Sequence, residues 1–291
     1  MTSHETIHST KEIEDLLSNS NLSFDNLRYL AKEVSVNSWS PYSQFPVGAV
    51  VVGIDQTKTL KVFSGTNVEP TVSLSLCAER NAIFNGITAG YRRFIALAIS
   101  LPKANLNSQK SEINFLTPCG ACREVISQKL HPKGILLIDG VDRTFTPKEL
   151  LPHPILDANK LKTLTIEEMD ALDLARNALH NTHVPYSKEK YGVSIVIENT
   201  KDIISACTLD SSSFGCSVEP LKSVFGVYTA KGNIKAKNKI KAIIFAFPFV
   251  KYPPGDALQL ISDYCEPKTK IIIDNMGVTT IEELLPWAFK L

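Results

Sequence analysis

The chain repeats itself, and that fact limits its fold more than any other feature. Pro41-Tyr42-Ser43 recurs as Pro185-Tyr186-Ser187, and Gly48 recurs at the same spacing as Gly192. Val68-Glu69-Pro70 returns as Val218-Glu219-Pro220, and Pro118 with the stretch after it returns as Pro254 to Ser262. Glu149-Leu150-Leu151-Pro152 returns as Glu283-Leu284-Leu285-Pro286. The anchors keep one order, and their spacing drifts only as loop lengths change. Such a repeat reads as two copies of one fold. At 291 residues each copy is long enough for its own core. The expected division is a lead-in over 1–22, a first copy over 23–155 and a second over 156–291.

Hydrophobic periodicity gives the first copy its elements. The lead-in holds one short helix, Lys11 to Leu17. Ser23 is a plausible N-cap for a helix whose apolar positions are Leu27, Leu30, Ala31 and Val34. Pro46 to Ile54 is a nearly continuous β-branched run, as a buried strand requires, and a turn at Asp55–Lys58 leads to a second strand near Leu60–Ser64. A helix from Cys77 to about Thr88, a strand at Phe94–Ser100, a polar loop at Lys103–Glu112, a helix at Cys119–Leu130 and a strand at Gly134–Asp139 follow. Late strand–helix–strand alternation implies parallel pairing and helices on both faces of the sheet. The expected fold is α/β, a three-layer α/β/α domain present as two tandem copies.

Two short segments carry the chemistry: Leu76-Cys77-Ala78-Glu79-Arg80 and Thr117-Pro118-Cys119-Gly120-Ala121-Cys122-Arg123. Cys-x-x-Cys sets two thiolates one helical turn apart, which suits a tetrahedral ion such as zinc. Cys77 supplies a third ligand, and no neighbouring Cys or His supplies a fourth. Three ligands and an open position describe a catalytic zinc, whose bound water has a pKa of roughly 7. Glu79, two residues past a ligand, is placed to carry protons. A closed structural site would need four protein ligands. Cys207, Cys216 and Cys265 share no Cys-x-x-Cys spacing, and His131 stands alone before a proline.

Cys77-Ala-Glu79 followed by Pro118-Cys-x-x-Cys122 resembles the signature of the zinc-dependent cytidine deaminases. The resemblance implies one zinc per chain on Cys77, Cys119 and Cys122, with Glu79 as the acid and base. Cysteine at the first ligand position is similar to the free-nucleoside branch that uses three thiolates. Three thiolates leave the site one net negative charge. Helix N-termini, each worth about half a positive charge, offset it, and Arg80 is the residue that would donate to the sulfurs. By the same resemblance Asn67, Val68 and Glu69 form the sugar-recognition segment, where an amide and a carboxylate satisfy a hydroxyl as donor and acceptor. Phe45 would pack on the pyrimidine ring, and backbone groups of Ala78 and Thr117 would meet its edge. Similar enzymes carry a Phe two residues past Leu-Leu-Pro-x, often reaching a neighbouring active site. Here Ile155 stands there in the first copy, and Phe289 or Trp287 in the second is the aromatic expected to cap a site across the dimer.

The second copy lacks the ligands. Aligned on Val-Glu-Pro, Val227 stands opposite Cys77 and Thr229 opposite Glu79. Aligned on the proline, Gly255 stands opposite Cys119 and Leu258 opposite Cys122. A metal-free second copy resembles that of the long cytidine deaminases, in which two chains form a homodimer that mimics a four-subunit assembly. Those long chains usually carry His at the first ligand, so Cys77 is a departure.

Composition sets the remaining limits. Hydrophobic content of 44% and charged content of 21% are those of a soluble globular protein. A net charge of +1 argues against a nucleic-acid surface. The only basic concentration, Lys235, Lys237, Lys239 and Lys241, alternates as a solvated face entering a strand. The polar start carries no secretory signal, the longest apolar run, Ala242 to Val250, is too short to cross a bilayer, and thiolate ligands suit the reducing cytoplasm. The expected reaction is deamination of cytidine and 2′-deoxycytidine, small nucleosides, in pyrimidine salvage. A polynucleotide-editing deaminase would need a basic groove with stacking aromatics. A non-catalytic zinc-stabilised binding protein would have no use for Glu79.

Overall fold

A computed structural model describes residues 7–104, 116–198, 200–234 and 239–289. The expected loop beyond Ala104, and Lys235 and Lys237 of the basic alternation, lie outside the described residues. The chain divides into two units, Met1–Leu151 with Trp287–Leu291 and Pro152–Pro286. The division thus falls at Leu151 rather than after 155. The closing residues group with the first unit because Trp287 packs on its core cluster, with its ring 5.8 Å from that of Phe145.

The first unit runs α1 (Thr10–Asn19), α2 (Phe24–Ser35), β1 (Gly48–Ile54), β2 (Leu60–Thr66), α3 (Ala78–Thr88), β3 (Phe94–Ser100), α4 (Gly120–Lys129), β4 (Leu130–Ile138) and α5 (Pro147–Leu150). Its sheet has the order β2-β1-β3-β4, antiparallel except for the parallel pair β3–β4. Alternate residues of β1 and β3 serve opposite faces. Val50, Val52, Ala96 and Ala98 pack with Ile13 and Leu17 of α1 and Leu27 and Ala31 of α2. Ala49, Val51, Leu97 and Ile99 pack with Ala82 and Ile83 of α3 and Ile126 of α4. With helices on both faces no strand position needs to be polar, which is why β1 and β3 read as unbroken apolar runs. The stretch expected as a lead-in is therefore part of the core: Ser9 caps α1, and Ile13 and Leu17 are fully buried.

The second unit runs α6 (Ile166–His180), β5 (Gly192–Ile197), β6 (Ile203–Cys207), α7 (Pro220–Ala230), β7 (Ile240–Ala246), α8 (Gly255–Tyr264), β8 (Lys270–Ile273), β9 (Gly277–Thr280) and α9 (Ile281–Leu284). Its sheet, β6-β5-β7-β8-β9, repeats the first and adds one strand. The added strand develops a feature already present, since Phe145 bridges Leu136 in the first unit where β9 pairs along β8 in the second. A capping box of Thr146 with Glu149 starts α5, and Glu283 likewise accepts from the Thr280 N–H at the start of α9.

Gly48 and Gly192 explain why each first strand opens on glycine. A Cβ at Gly48 would stand 2.0 Å from the Ala31 carbonyl oxygen, and one at Gly192 would stand 2.1 Å from that of Ala175. Each helix, α2 or α6, rests directly on strand backbone at that point. Because the obstacle is main chain, it cannot swing aside. Gly48→Ala is expected to cost the first unit about 1–3 kcal/mol or more, as overpacking does. An unchanged midpoint in denaturant titration would show that the contact is not as tight as described.

Candidate metal centre and active site

Both chemistry-bearing segments sit at helix starts. Cys77 is the N-cap of α3 and Cys119 the N-cap of α4, each with extended φ and ψ and neither making a side-chain cap hydrogen bond. Cysteine is not among the residues that normally cap helices. What it provides here is sulfur beside free N–H groups and the positive end of a helix dipole, which favours the thiolate. Cys122 lies within the first turn of α4 and Glu79 within that of α3. The three sulfurs lie within 4.8 Å of one another, those of Cys77 and Cys119 being 3.8 Å apart. Among the described residues no other cluster of three metal-binding groups is found.

The electrostatics of the trio call for a cation. Hydrogen bonds from Cys119 and Cys122, with help from Arg80, hold the Cys77 thiol far below its ordinary value, at about 2. One thiolate is thus favoured, and further ionisation is opposed. Burial and the bonds to Cys119 and Cys77 push the Cys122 thiol well up. Cys119 gains from a bond with Cys122, but the bond to Cys77 and burial outweigh it and raise that thiol too. A divalent ion removes this conflict, and three soft sulfurs suit zinc. Arg80 donates to the Cys77 sulfur at 3.5 Å, while its Nε is buried with no partner. Burial works against its charge, and Cys122 and Cys77 keep it ionised. The residues present fit the metal.

Glu79 is 5% exposed, and burial, reinforced by the Cys77 charge, pushes its carboxyl up to about 7. It lines a solvent-open cavity together with Cys77, Cys119, Phe45, Asn67, Glu69, Ala78 and Thr117. Val68, expected with them, is not among the lining residues. Its N–H and C=O are taken up by Leu76, 2.9 Å away in each direction. The Thr117 hydroxyl is also committed, donating to the Trp287 carbonyl and accepting from Arg123. Phe289 lines the cavity as part of the first unit. Ile155 is fully exposed, so it has no comparable place. Sequence reasoning missed Arg123 and Ser43. Arg123 directly follows a ligand, and Ser43 belongs to a repeated anchor, which was the available signal.

Asn67 and Glu69 hold a loop as well as facing the cavity. Asn67 Oδ1 accepts from Ser38 Oγ at 2.6 Å and from Val47 N–H at 2.8 Å, and its amide donates to Phe45 C=O at 2.9 Å. Glu69 accepts from the N–H groups of Tyr42 and Ser43 and from Ser43 Oγ at 2.6 Å. Burial alone would raise this carboxylate, but the Ser43 hydroxyl and those N–H groups hold it below its usual value. The second unit makes the same clasp with other residues. Asp210 accepts from Tyr186 N–H, Ser187 N–H and Ser187 Oγ, and Thr208 Oγ1 accepts from Tyr191 N–H.

That correspondence corrects the sequence alignment. Val68 bridges Trp39 and Leu76 as Leu209 bridges His183 and Val218, so Val218 matches Leu76 and not Val68. Glu219, N-cap of α7, then stands at the place of Cys77, and Leu221 at that of Glu79. Pro254 caps α8 as Cys119 caps α4, which sets Ala257 opposite Cys122. One of the three replacements is thus a carboxylate. Glu219 bonds to the Tyr191 hydroxyl. Tyr191, Phe245 and Phe247 occupy the positions of Val47, Ile99 and Leu101, which line the cavity in the first unit. The three rings are buried against one another with centroids 5.2 to 6.5 Å apart.

Known proteins agree with this site. The zinc-binding region of cytidine and deoxycytidylate deaminases matches residues 25–137, and so contains all three thiols and Glu79. A cytidine deaminase of Sporosarcina psychrophila is 35% identical over 99 residues, covering 34% of this chain and 63% of its own. A probable cytidine deaminase of Dictyostelium discoideum is 36% identical over 85 residues, covering 29% of this chain and 50% of its own. The chain therefore spans about half to two-thirds of the length of these relatives. The crystal structure of cytidine deaminase from Burkholderia pseudomallei, 33% identical, covers 45% of this chain and 97% of its own at a TM-score of 0.38. Residues 25–137 thus match the zinc-binding region of cytidine and deoxycytidylate deaminases, and over 85 to 99 residues the chain is similar to named cytidine deaminases.

Proposed function

We propose that the first unit hydrolyses the exocyclic C–N bond of cytidine and 2′-deoxycytidine, giving the uridines and ammonia. The observation that carries this reading is a buried carboxyl, Glu79, lining one open cavity beside Cys77 and Cys119, two of the three clustered thiols. Cys77, Cys119 and Cys122 would hold zinc, which when bound supplies a Lewis-acidic position that acidifies water. Glu79 takes a proton from the attacking water, delivers it to ring N3 and then helps protonate the departing amine. Burial holds this carboxyl above its ordinary value, so it can give back a proton as well as take one. Phe45 supplies an apolar surface for the base, Asn67 and Glu69 border the sugar, and backbone groups of Ala78 and Thr117 meet the pyrimidine edge.

The biological reading is pyrimidine salvage by a cytoplasmic homodimer, with the second unit as metal-free scaffold. The described residues include no helix long and apolar enough to cross a membrane. The first test is the purified full chain with free cytidine, followed by ultraviolet absorbance. No turnover by zinc-loaded protein removes the proposal.

Two substitutions test the roles. Glu79→Gln is expected to keep its zinc, by metal analysis, and to lose about 10²–10⁴-fold in kcat. Retained turnover would take the proton transfer away from Glu79. Arg80→Gln removes the donor beside Cys77, and zinc affinity is expected to fall about 10–100-fold in a chelator competition. An unaltered competition curve would make Arg80 a bystander.

A further inference from the structure

Arg123 is the bulkiest side chain buried almost completely, at 1% exposure. Isolated buried charge is expensive, so a buried guanidinium needs a reason. Among the described residues its donors reach Pro118 C=O from Nε at 2.8 Å, Leu150 C=O from Nη1 at 2.7 Å, and Thr117 Oγ1 at 2.9 Å and Trp287 C=O at 2.6 Å from Nη2. Two of these partners belong to the turn leading into Cys119. A third belongs to the closing segment of the chain. The second unit, whose cavity positions are filled by rings, has Leu258 at this place, because Leu258 N–H bonds to Pro254 C=O as Arg123 N–H bonds to Cys119 C=O. The buried charge accompanies the open site and not the fold.

The closing segment bears its own strain. Trp287 has φ of +50°, a left-handed conformation unfavourable for a bulky residue. Such geometry persists only where the surroundings over-determine it. Here the Trp287 carbonyl accepts from both Thr117 and Arg123, and the Arg143 guanidinium lies 5.3 Å from the Trp287 ring. Two residues on, Phe289 lines the cavity that holds Glu79 and Cys77.

We propose that Arg123 is a positioning residue that latches residues 287–289 onto the Cys119 turn, so that Phe289 walls the cavity and sets nucleoside affinity. The claim rests on the deaminase reading for its substrate but not for its geometry. A latch of this kind acts on binding: the wall is in place before and during reaction, so its loss raises KM more than it lowers kcat.

The experiment uses the full chain carrying Trp39→Phe, which leaves Trp287 as the single indole because the sequence holds two tryptophans. Acrylamide quenching of Trp287 fluorescence, zinc content and cytidine kinetics are measured for this protein, for Arg123→Lys and for Phe289→Ala. Arg123→Lys keeps the charge and loses the planar fork. It is expected to expose Trp287 to the quencher and to raise KM roughly three- to tenfold, the range of one lost aromatic contact. Phe289→Ala is expected to raise KM as much while Trp287 stays protected, and the two changes together should add little to either alone. Unchanged KM in Phe289→Ala overturns the proposal, as does a folded Arg123→Lys with Trp287 still shielded. If Arg123→Lys does not fold, Phe289→Ala decides alone. If the parent protein turns over no cytidine, the deaminase reading fails and quenching in Arg123→Lys still decides the latch.

Discussion

Everything at the site follows from two helices being made to start at one point. α3 and α4 bring Cys77 and Cys119 together as neighbouring N-caps, and the sheet fixes where those caps fall, because both helices pack on the same face through Ala82, Ile83 and Ile126. Ordinary caps are oxygens that satisfy the first N–H groups. Replacing them with sulfur leaves two helix ends turned toward a pair of thiols, and the first turn of each helix adds one more reactive group, Glu79 or Cys122. The three thiols and the Glu79 carboxyl thus lie within a few residues of a terminus that packing has already positioned. Little further machinery is needed to align them, which is how so small a motif can be sufficient.

The second unit shows what the same scaffold holds where those thiols are absent. Its sheet order, its glycine contact at Gly192 and its loop clasp through Asp210 all persist. The space that is cavity in one copy holds Tyr191, Phe245 and Phe247 in the other, with Glu219 bonded to the tyrosine hydroxyl. A buried acid there raises its own pKa, chiefly through burial, and the tyrosine gives it a donor to lean on. Burial of aromatic surface replaces the cohesion that a metal would bring.

Most of this was legible in the sequence where a single periodic signal decided the matter. The strand at Phe94–Ser100, the cap at Ser23 and the helix start at Cys77 are local, and the structure has them where the pattern put them. The alignment of the copies failed where the signal was a coincidence of letters. Val218-Glu219-Pro220 spells Val68-Glu69-Pro70, yet pairing across the sheet equates Val218 with Leu76, since Leu209 does the work of Val68. Backbone pairing constrains register more strongly than a tripeptide does. The tail was illegible for another reason. Its anchor, Arg123, lies far away in sequence, and a buried arginine cannot be told from an exposed one by composition. The helix of the lead-in was visible, but not that Ile13 and Leu17 complete a face of the sheet.

The clasp that recurs in both copies bears on how sites are inherited. Ser43 on Glu69 and Ser187 on Asp210 shape the same bend, and the first of these bends borders an open cavity. An acidic residue retained there through duplication answers first to the chain's own amides, and any contact with a bound sugar is borrowed from a part already made. Duplicated genes that shed an activity would then keep the outline of a binding loop long after the ligand has ceased to matter, and persistence alone is no record of use.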